Sequence, residues 1–341
     1  MDVYATTDQR LALRDVPAHA QRAERLGYTG VLVPEAVHDG LLAALLALEH
    51  TTELRVATSV LLAFPRSPMT TAIAAWDLQS LSGGRLELGL GAQVRANLEQ
   101  RFSVEWRPPV PRMREYVQAL RAIWSRWQEG TPLALRGEHY RFERMQPFFD
   151  PGPIEHPEIP IQLAAVGPFM TRLAGEVAEA WVAHPTNASP RFLREVTLPN
   201  LEKGARRCGR APQEIAVLAF GFVATGATLE DVHEERKRIR EYLGFLYSTP
   251  QYAATLELFE WVDVGRRLRE LVRAGRWMET KELVTDEMLD HLVPSAPYGE
   301  IADVLREWYG GLAGGVALPM PQDPAHDAQL RAVVESLRSG A

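Results

Sequence analysis

The chain has a single cysteine, Cys208, in 341 residues, so it can form neither an internal disulfide nor a cysteine-ligated metal cluster. It lacks a lysine-rich tract, and its arginines, which greatly outnumber lysine, are scattered along helical stretches. With a net charge of −7, this argues against a nucleic-acid or anionic-membrane partner. Long apolar runs are missing too. The longest, residues 41–48, is too short to span a bilayer. Met1-Asp2-Val3-Tyr4 shows no basic segment followed by an apolar core, so no secretory signal is expected and the protein is expected to be cytoplasmic.

Several chemical signatures are also absent. Gly89-x-Gly91 lacks a third glycine, because Val94 occupies that position, which removes the dinucleotide fingerprint. There is no P-loop, no HExxH and no G-x-S-x-G. The nine histidines form no H-x-H pair, and no metal is expected. His38 and His184 alone keep a metal-dependent hydrolase open.

What is present is an ordinary globular composition, 46% hydrophobic and 24% charged, with a regular alternation of strand and helix. Strands are expected at 3–6, 30–33, 54–62, 86–90, 161–164, 181–183, 215–224 and 316–318. Helices are expected at 10–26, 40–50, 68–81, 112–127, 169–177, 191–208, 229–246 and 325–337. Met69, Ile73 and Trp76 would share one face of the 68–81 helix, and Met113, Val117, Leu120 and Trp124 one face of the 112–127 helix. Two stretches interrupt the rhythm: 130–160, with a small hairpin and a proline-rich connector, and the mainly helical 247–298. Eight strand–helix units in a single α/β domain over 1–341 fit a (β/α)8 TIM barrel with two insertions. A doubly wound open sheet is the alternative, but it would not normally need eight units.

In such a barrel the functional loops follow the C-terminal ends of the strands. After the second strand, Pro34-Glu35-Ala36-Val37-His38-Asp39 carries an acid and a histidine suited to holding a cofactor ring, moving a proton or ligating a metal, the alternative being a His38 that merely stands in solvent. Asp39 reads first as the cap of the next helix. Thr58-Ser59-Val60, taken alone, is an ordinary strand running on to Leu62. Gly89 and Gly91 allow a backbone or a ligand to come close, and the loop Ala92-Gln93-Val94-Arg95-Ala96-Asn97 offers N–H groups and a cation to an anion. Ala165-Val166-Gly167-Pro168 opens a helix whose N-terminus is a second anion-ready element, or else a plain turn. Two such loops without an evident nucleophile suit an enzyme whose organic cofactor carries the chemistry.

With these strands in place, the chain resembles the luciferase-like flavin and deazaflavin (coenzyme F420) oxidoreductases over about residues 20–337. The likeness is densest in FPRSPMTTAIAAWDLQSLSGGRLELGLGAQVR (64–95), RMREYVQALRAIW (112–124) and FFDPGPIEHPEIPIQLAAVGP (148–168). The F420-dependent branch is the most similar. The resemblance implies a non-prolyl cis peptide at Ser59-Val60, forming a bulge against the central ring of the cofactor. It implies that Ala92, Gln93 and Asn97 approach the polar tail, that Val166 and Gly167 cradle phosphate, and that Glu35 meets the polar edge of the ring.

The chain also departs from that pattern. Ala36 stands where better-known members carry a proton-donating histidine, and Val94 where another acid is found. His38, two residues on, is the remaining candidate for proton transfer. The resulting expectation is F420-dependent hydride transfer to or from a small organic substrate, under a lid built from parts of 247–298. An FMN-dependent monooxygenase is the alternative, and a catalytically inactive ligand-binding barrel, suggested by Ala36 and Val94, is a second. Relatives of this kind are often dimers, which leaves a homodimer open.

Overall fold

The computed structural model describes residues 1–340. Eight parallel strands stand at its centre: β1 (Asp2–Thr6), β2 (Gly30–Val33), β3 (Arg55–Thr58), β4 (Leu86–Gly91), β5 (Ile161–Ala164), β6 (Ala180–Val182), β7 (Ala216–Ala219) and β8 (Gly315–Leu318). Each pairs with the next, and β8 pairs back onto β1 with Val316 opposite Val3, so the sheet closes into a (β/α)8 barrel. Closure buries the strands on both faces, which is why β4 carries no exposed residue.

The surrounding helices begin and end where the chain supplies caps. Before α1 (Val16–Arg25) and α2 (Gly40–Glu49) stand Asp15 and Asp39, and only the Asp39 carboxylate caps, accepting from the N–H groups of Leu41 and Leu42. Ser67 caps α3 (Pro68–Ser82), which stops at Gly83 in the left-handed region, φ 63°. Next comes α4 (Pro109–Glu129), which buries Met113, Val117, Leu120 and Trp124 as the sequence predicts. The face expected on α3 is displaced. Trp76 is buried, but Ile73 is exposed, because Thr71, Ala72 and Ala75 form the inner stripe, and small side chains let the helix sit close.

The strand expected at 215–224 is shorter than its apolar run. It ends at Ala219, because Ala224 turns away to exchange backbone hydrogen bonds with Pro294 and Ala296 in the second insertion. That insertion holds Val262–Arg273 and Asp286–Leu292 as helices, and together with the long helix Leu229–Tyr247 it forms its own apolar cluster. No helix among the described residues is long and apolar enough to cross a membrane.

Inside the barrel the side chains are mostly small: Ala57, Ala164, Ala180, Val182 and Ala317. Tyr4 fills the space they leave, packing on Phe220 at 5.1 Å between ring centroids. Its hydroxyl donates to Glu87 at 2.9 Å, and the Gln162 Nε2 donates to the same carboxylate at 2.9 Å. Burial raises the Glu87 carboxyl above its ordinary range. This polar knot occupies the barrel interior toward the N-terminal ends of the strands, away from the loops that would carry chemistry.

Two outer helices, α5 (Pro168–Val177) and α6 (Leu198–Arg207), meet backbone to backbone. A Cβ on Gly204 would lie 1.9 Å from the Arg172 carbonyl oxygen, and one on Gly175 would lie 2.2 Å from that of Leu201. Gly204→Ala is therefore expected to destabilise the protein by about 1–3 kcal/mol in urea unfolding. A loss below about 0.5 kcal/mol would show that the helices part freely.

Candidate active site

The wall of the barrel mouth between β3 and β4 is made of backbone. Ala57 pairs with Glu87, while Leu61 of the short continuation Leu61–Leu62 pairs with Leu90. Residues 58–60 therefore stand opposite only 88–89, which makes a bulge. The Ser59-Val60 peptide within it is cis. The glycines of β4 accommodate this crowding: a Cβ on Gly89 would lie 1.9 Å from the Thr58 carbonyl oxygen, and one on Gly91 would lie 2.5 Å from Val60 Cγ2. The close approach these glycines permit is thus that of the neighbouring strand.

Glu35 is tied to the same bulge. Its Oε2 accepts from the Leu62 N–H at 2.6 Å, and Arg66 pairs with its carboxylate at 2.6 Å and with Asp39 at 2.6 Å. The Glu35 side chain is only 10% exposed. Arg101 donates to the Ala36 carbonyl at 2.6 Å, fastening this loop to the one after β4. His38, half-buried in the loop, makes no hydrogen bond to any described residue.

Beyond β4, Gln93 adopts φ 61°. Its Oε1 accepts from the Val94 N–H at 2.8 Å and from Asn97 Nδ2 at 3.1 Å. Gln93 and Asn97 thereby fix each other and the start of the short helix Arg95–Gln100, with the Gln93 Nε2 and Asn97 Oδ1 left over. Arg95 pairs with Glu99 at 3.0 Å and lies over the Trp106 ring. Ala92 packs against the core.

At the β5 exit, Val166 precedes Gly167, the uncapped residue before α5, with open space where its Cβ would be. Pro168 has no N–H, so the first donors of the helix are those of Phe169 and Met170, beside the positive end of the helix dipole. These residues fit a phosphate. The β6 exit carries His184, which in the sequence is only a candidate metal ligand beside His38. His184 Nδ1 lies 2.8 Å from the Thr186 hydroxyl, and its ring stacks on Tyr252 at 4.3 Å. Burial pushes its pKa down to about 4, so the ring is neutral near pH 7. His38 and His184 are not joined in any metal-holding group of three or more such side chains among the described residues.

A family model described as luciferase-like monooxygenase matches residues 2–314. The chain belongs to the luciferase-like monooxygenase family. An uncharacterized protein of Mycobacterium tuberculosis is 42% identical, with 86% of each chain covered. A putative coenzyme F420-dependent oxidoreductase of the same organism is 30% identical, covering 79% of this chain and 78% of its own. Among solved structures, the F420-dependent tetrahydromethanopterin reductase of Methanopyrus kandleri superposes with a TM-score of 0.81 at 18% identity, 99% of each chain covered. An EDTA monooxygenase from Chelativorans superposes at 0.73 with 14% identity, covering 100% of this chain and 94% of its own. This luciferase-like barrel thus shares its fold with F420-dependent reductases and with monooxygenases.

Arg66, Thr186, Asn187 and Tyr252 shape the mouth but were not among the sequence candidates. Asn187 joins two strand exits, accepting from the His184 N–H at 2.8 Å and donating to the Ala165 carbonyl at 3.2 Å. Arg66 lies in the quoted 64–95 motif, yet only the fold brings it to Glu35. Arg66→Met leaves the Glu35 carboxylate without its counter-charge and is expected to cost about 3 kcal/mol. Adding Glu35→Gln, which keeps an acceptor for the Leu62 N–H, should restore about half of that loss in a double-mutant cycle. Strict additivity of the two substitutions would contradict the clamp.

Proposed function

We propose that the protein is an F420-dependent oxidoreductase that transfers a hydride between the deazaflavin and a small organic substrate. The observation that carries the cofactor reading is the open, uncapped start of α5 at the strand exit next to the β3–β4 bulge. Phosphate fits the N–H donors there, and a planar ring fits a wall of backbone. F420 is favoured over FMN by the 30%-identical relative named as a putative F420-dependent oxidoreductase and by a 5,10-methylenetetrahydromethanopterin reductase of Archaeoglobus fulgidus, 29% identical over 71% of this chain.

In this reading Ser59 and Val60 support the ring, and Val166 and Gly167 hold phosphate. Ala92, Gln93 and Asn97 line the path of the polar tail. Glu35 acts through Arg66 and Leu62, holding the bulge in place at the polar edge of the ring. Bound F420 would supply a ring carbon able to carry hydride. The chain supplies orientation and a dry pocket, and Tyr247 and Thr255 of the second insertion both donate to the Thr186 carbonyl at the β6 exit, where a lid would close. His38 stands as the proton donor if substrate binding turns its unbonded ring inward.

The monooxygenase reading rests on the description of the family model and on fold likeness at 14% identity. The inactive-barrel reading rests on Ala36 and Val94. Titration of the purified protein with F420 and with FMN separates all three. Submicromolar F420 binding without FMN binding is expected. FMN binding alone would sink the F420 reading, and binding of neither would favour an inactive barrel.

A further inference from the structure

Ala180 and Val182 of β6 point into the barrel, and the alternation of a strand carries that direction on to His184. Its neighbours define the state of the ring. The Thr186 N–H donates to Nδ1 at 3.3 Å, and the Thr186 hydroxyl lies 2.8 Å from the same atom. With Nδ1 accepting, the ring proton belongs on Nε2. One face of the ring is covered by Tyr252, and the backbone N–H is taken by Asn187. Nε2 has no partner among the described residues, yet it is not one of the sealed buried polar atoms.

The support behind the ring is deliberate in its chemistry. The Thr186 carbonyl receives the hydroxyls of both Tyr247 and Thr255, which holds the residue that fixes Nδ1. No carboxylate or cation pairs with the imidazole, so nothing offsets the burial that keeps it uncharged. At the β2 exit the Glu35 carboxylate is already paired with Arg66, and His38 is the other unbonded ionisable side chain.

We propose that His184 presents Nε2–H as a neutral hydrogen-bond donor to the oxygen of a neutral carbonyl or alcohol substrate bound at the barrel mouth. The inference deepens the oxidoreductase reading and rests on it for the place of the substrate. The ring donates a hydrogen bond and transfers no proton; a neutral imidazole can polarise a carbonyl in this way. His184 thus orients the reacting oxygen, while any proton that the redox step consumes comes from another group or from water. The site favours an uncharged oxygen function, because the imidazole donor has no cation or carboxylate beside it and one face of its ring is covered by Tyr252.

Long-range proton–nitrogen spectra of the nitrogen-15-labelled full chain read the tautomer directly, with the His184 signal assigned by its loss in His184→Phe. Acetamide, a neutral carbonyl compound that resists hydride reduction, is then titrated in with F420 present and, in parallel, with FMN and with no cofactor. The expected result is an Nε2–H ring, neutral at about pH 6, whose Nε2 signal shifts as acetamide binds. His184→Phe, which keeps an aromatic ring against Tyr252, should bind acetamide about tenfold more weakly. His184→Gln keeps an N–H donor and should stay within about threefold of the unmodified chain. An Nδ1–H tautomer, an Nε2 signal indifferent to acetamide, or unchanged affinity in His184→Phe overturns the proposal. If His184→Phe does not fold, His184→Gln assigns the signal, and the tautomer and the shift in the unmodified chain decide. Failure of F420 to bind counts against the cofactor reading and is distinguished from these outcomes, because the tautomer and shift are also read without cofactor.

Discussion

A carbonyl oxygen stands where a side chain at residue 89 would begin. The Thr58 oxygen is 1.9 Å from any Cβ built there, so β3 can approach β4 only while Gly89 has none. The Thr58 hydroxyl donates to the Gly89 carbonyl at 2.8 Å and closes the contact. Much of the mouth follows from this closeness. Residues 58–60, at and beyond the end of β3, fit opposite two of β4, Val60 rests on Gly91, and Leu62 offers its N–H to Glu35. The result is a bulged stretch of backbone packed closely on the glycines of β4.

Polar side chains around that wall are mostly engaged in holding it. Glu35 and Asp39 share Arg66, Gln93 and Asn97 bond each other, and Asn187 links the exits of β5 and β6. Groups left for a ligand include the first N–H donors of α5, the Gln93 Nε2 and Asn97 Oδ1, the His38 ring and the His184 Nε2. Such an economy fits a family in which bound cofactors supply reactivity and the protein supplies placement.

The eight-fold barrel was legible in the sequence because strand and helix periods alternate cleanly, with glycines and caps at the borders. Residues 30–33 and 161–164 are strands to the residue expected, and the hairpin falls within 130–160. Residues 215–224 misled, since an apolar run cannot tell a barrel strand from a segment that pairs elsewhere; Ala224 goes to Pro294 and Ala296. Ile73 misled because a stripe of small residues outcompeted a larger apolar one for the inner face.

The candidate site was legible as loops but not as partnerships. Glu35, Gln93 and Asn97 stood out as polar residues at strand ends, yet whom they bond depends on contacts across 27–31 residues for Glu35 and on a left-handed turn for Gln93. His184 stood out in the sequence only beside His38, as a candidate metal ligand at the barrel mouth. Its fixed nitrogen comes from Thr186 nearby, and its stacking partner, Tyr252, comes from the distant insertion.

The central claim is that the β3–β4 wall and the start of α5 together seat a phosphate-bearing planar cofactor. Hydrogen–deuterium exchange of the full chain with and without saturating F420 tests it most directly. Added protection confined to segments 59–62, 91–97 and 166–171 is the predicted result. Binding accompanied by protection elsewhere, with these three segments unchanged, would contradict the account.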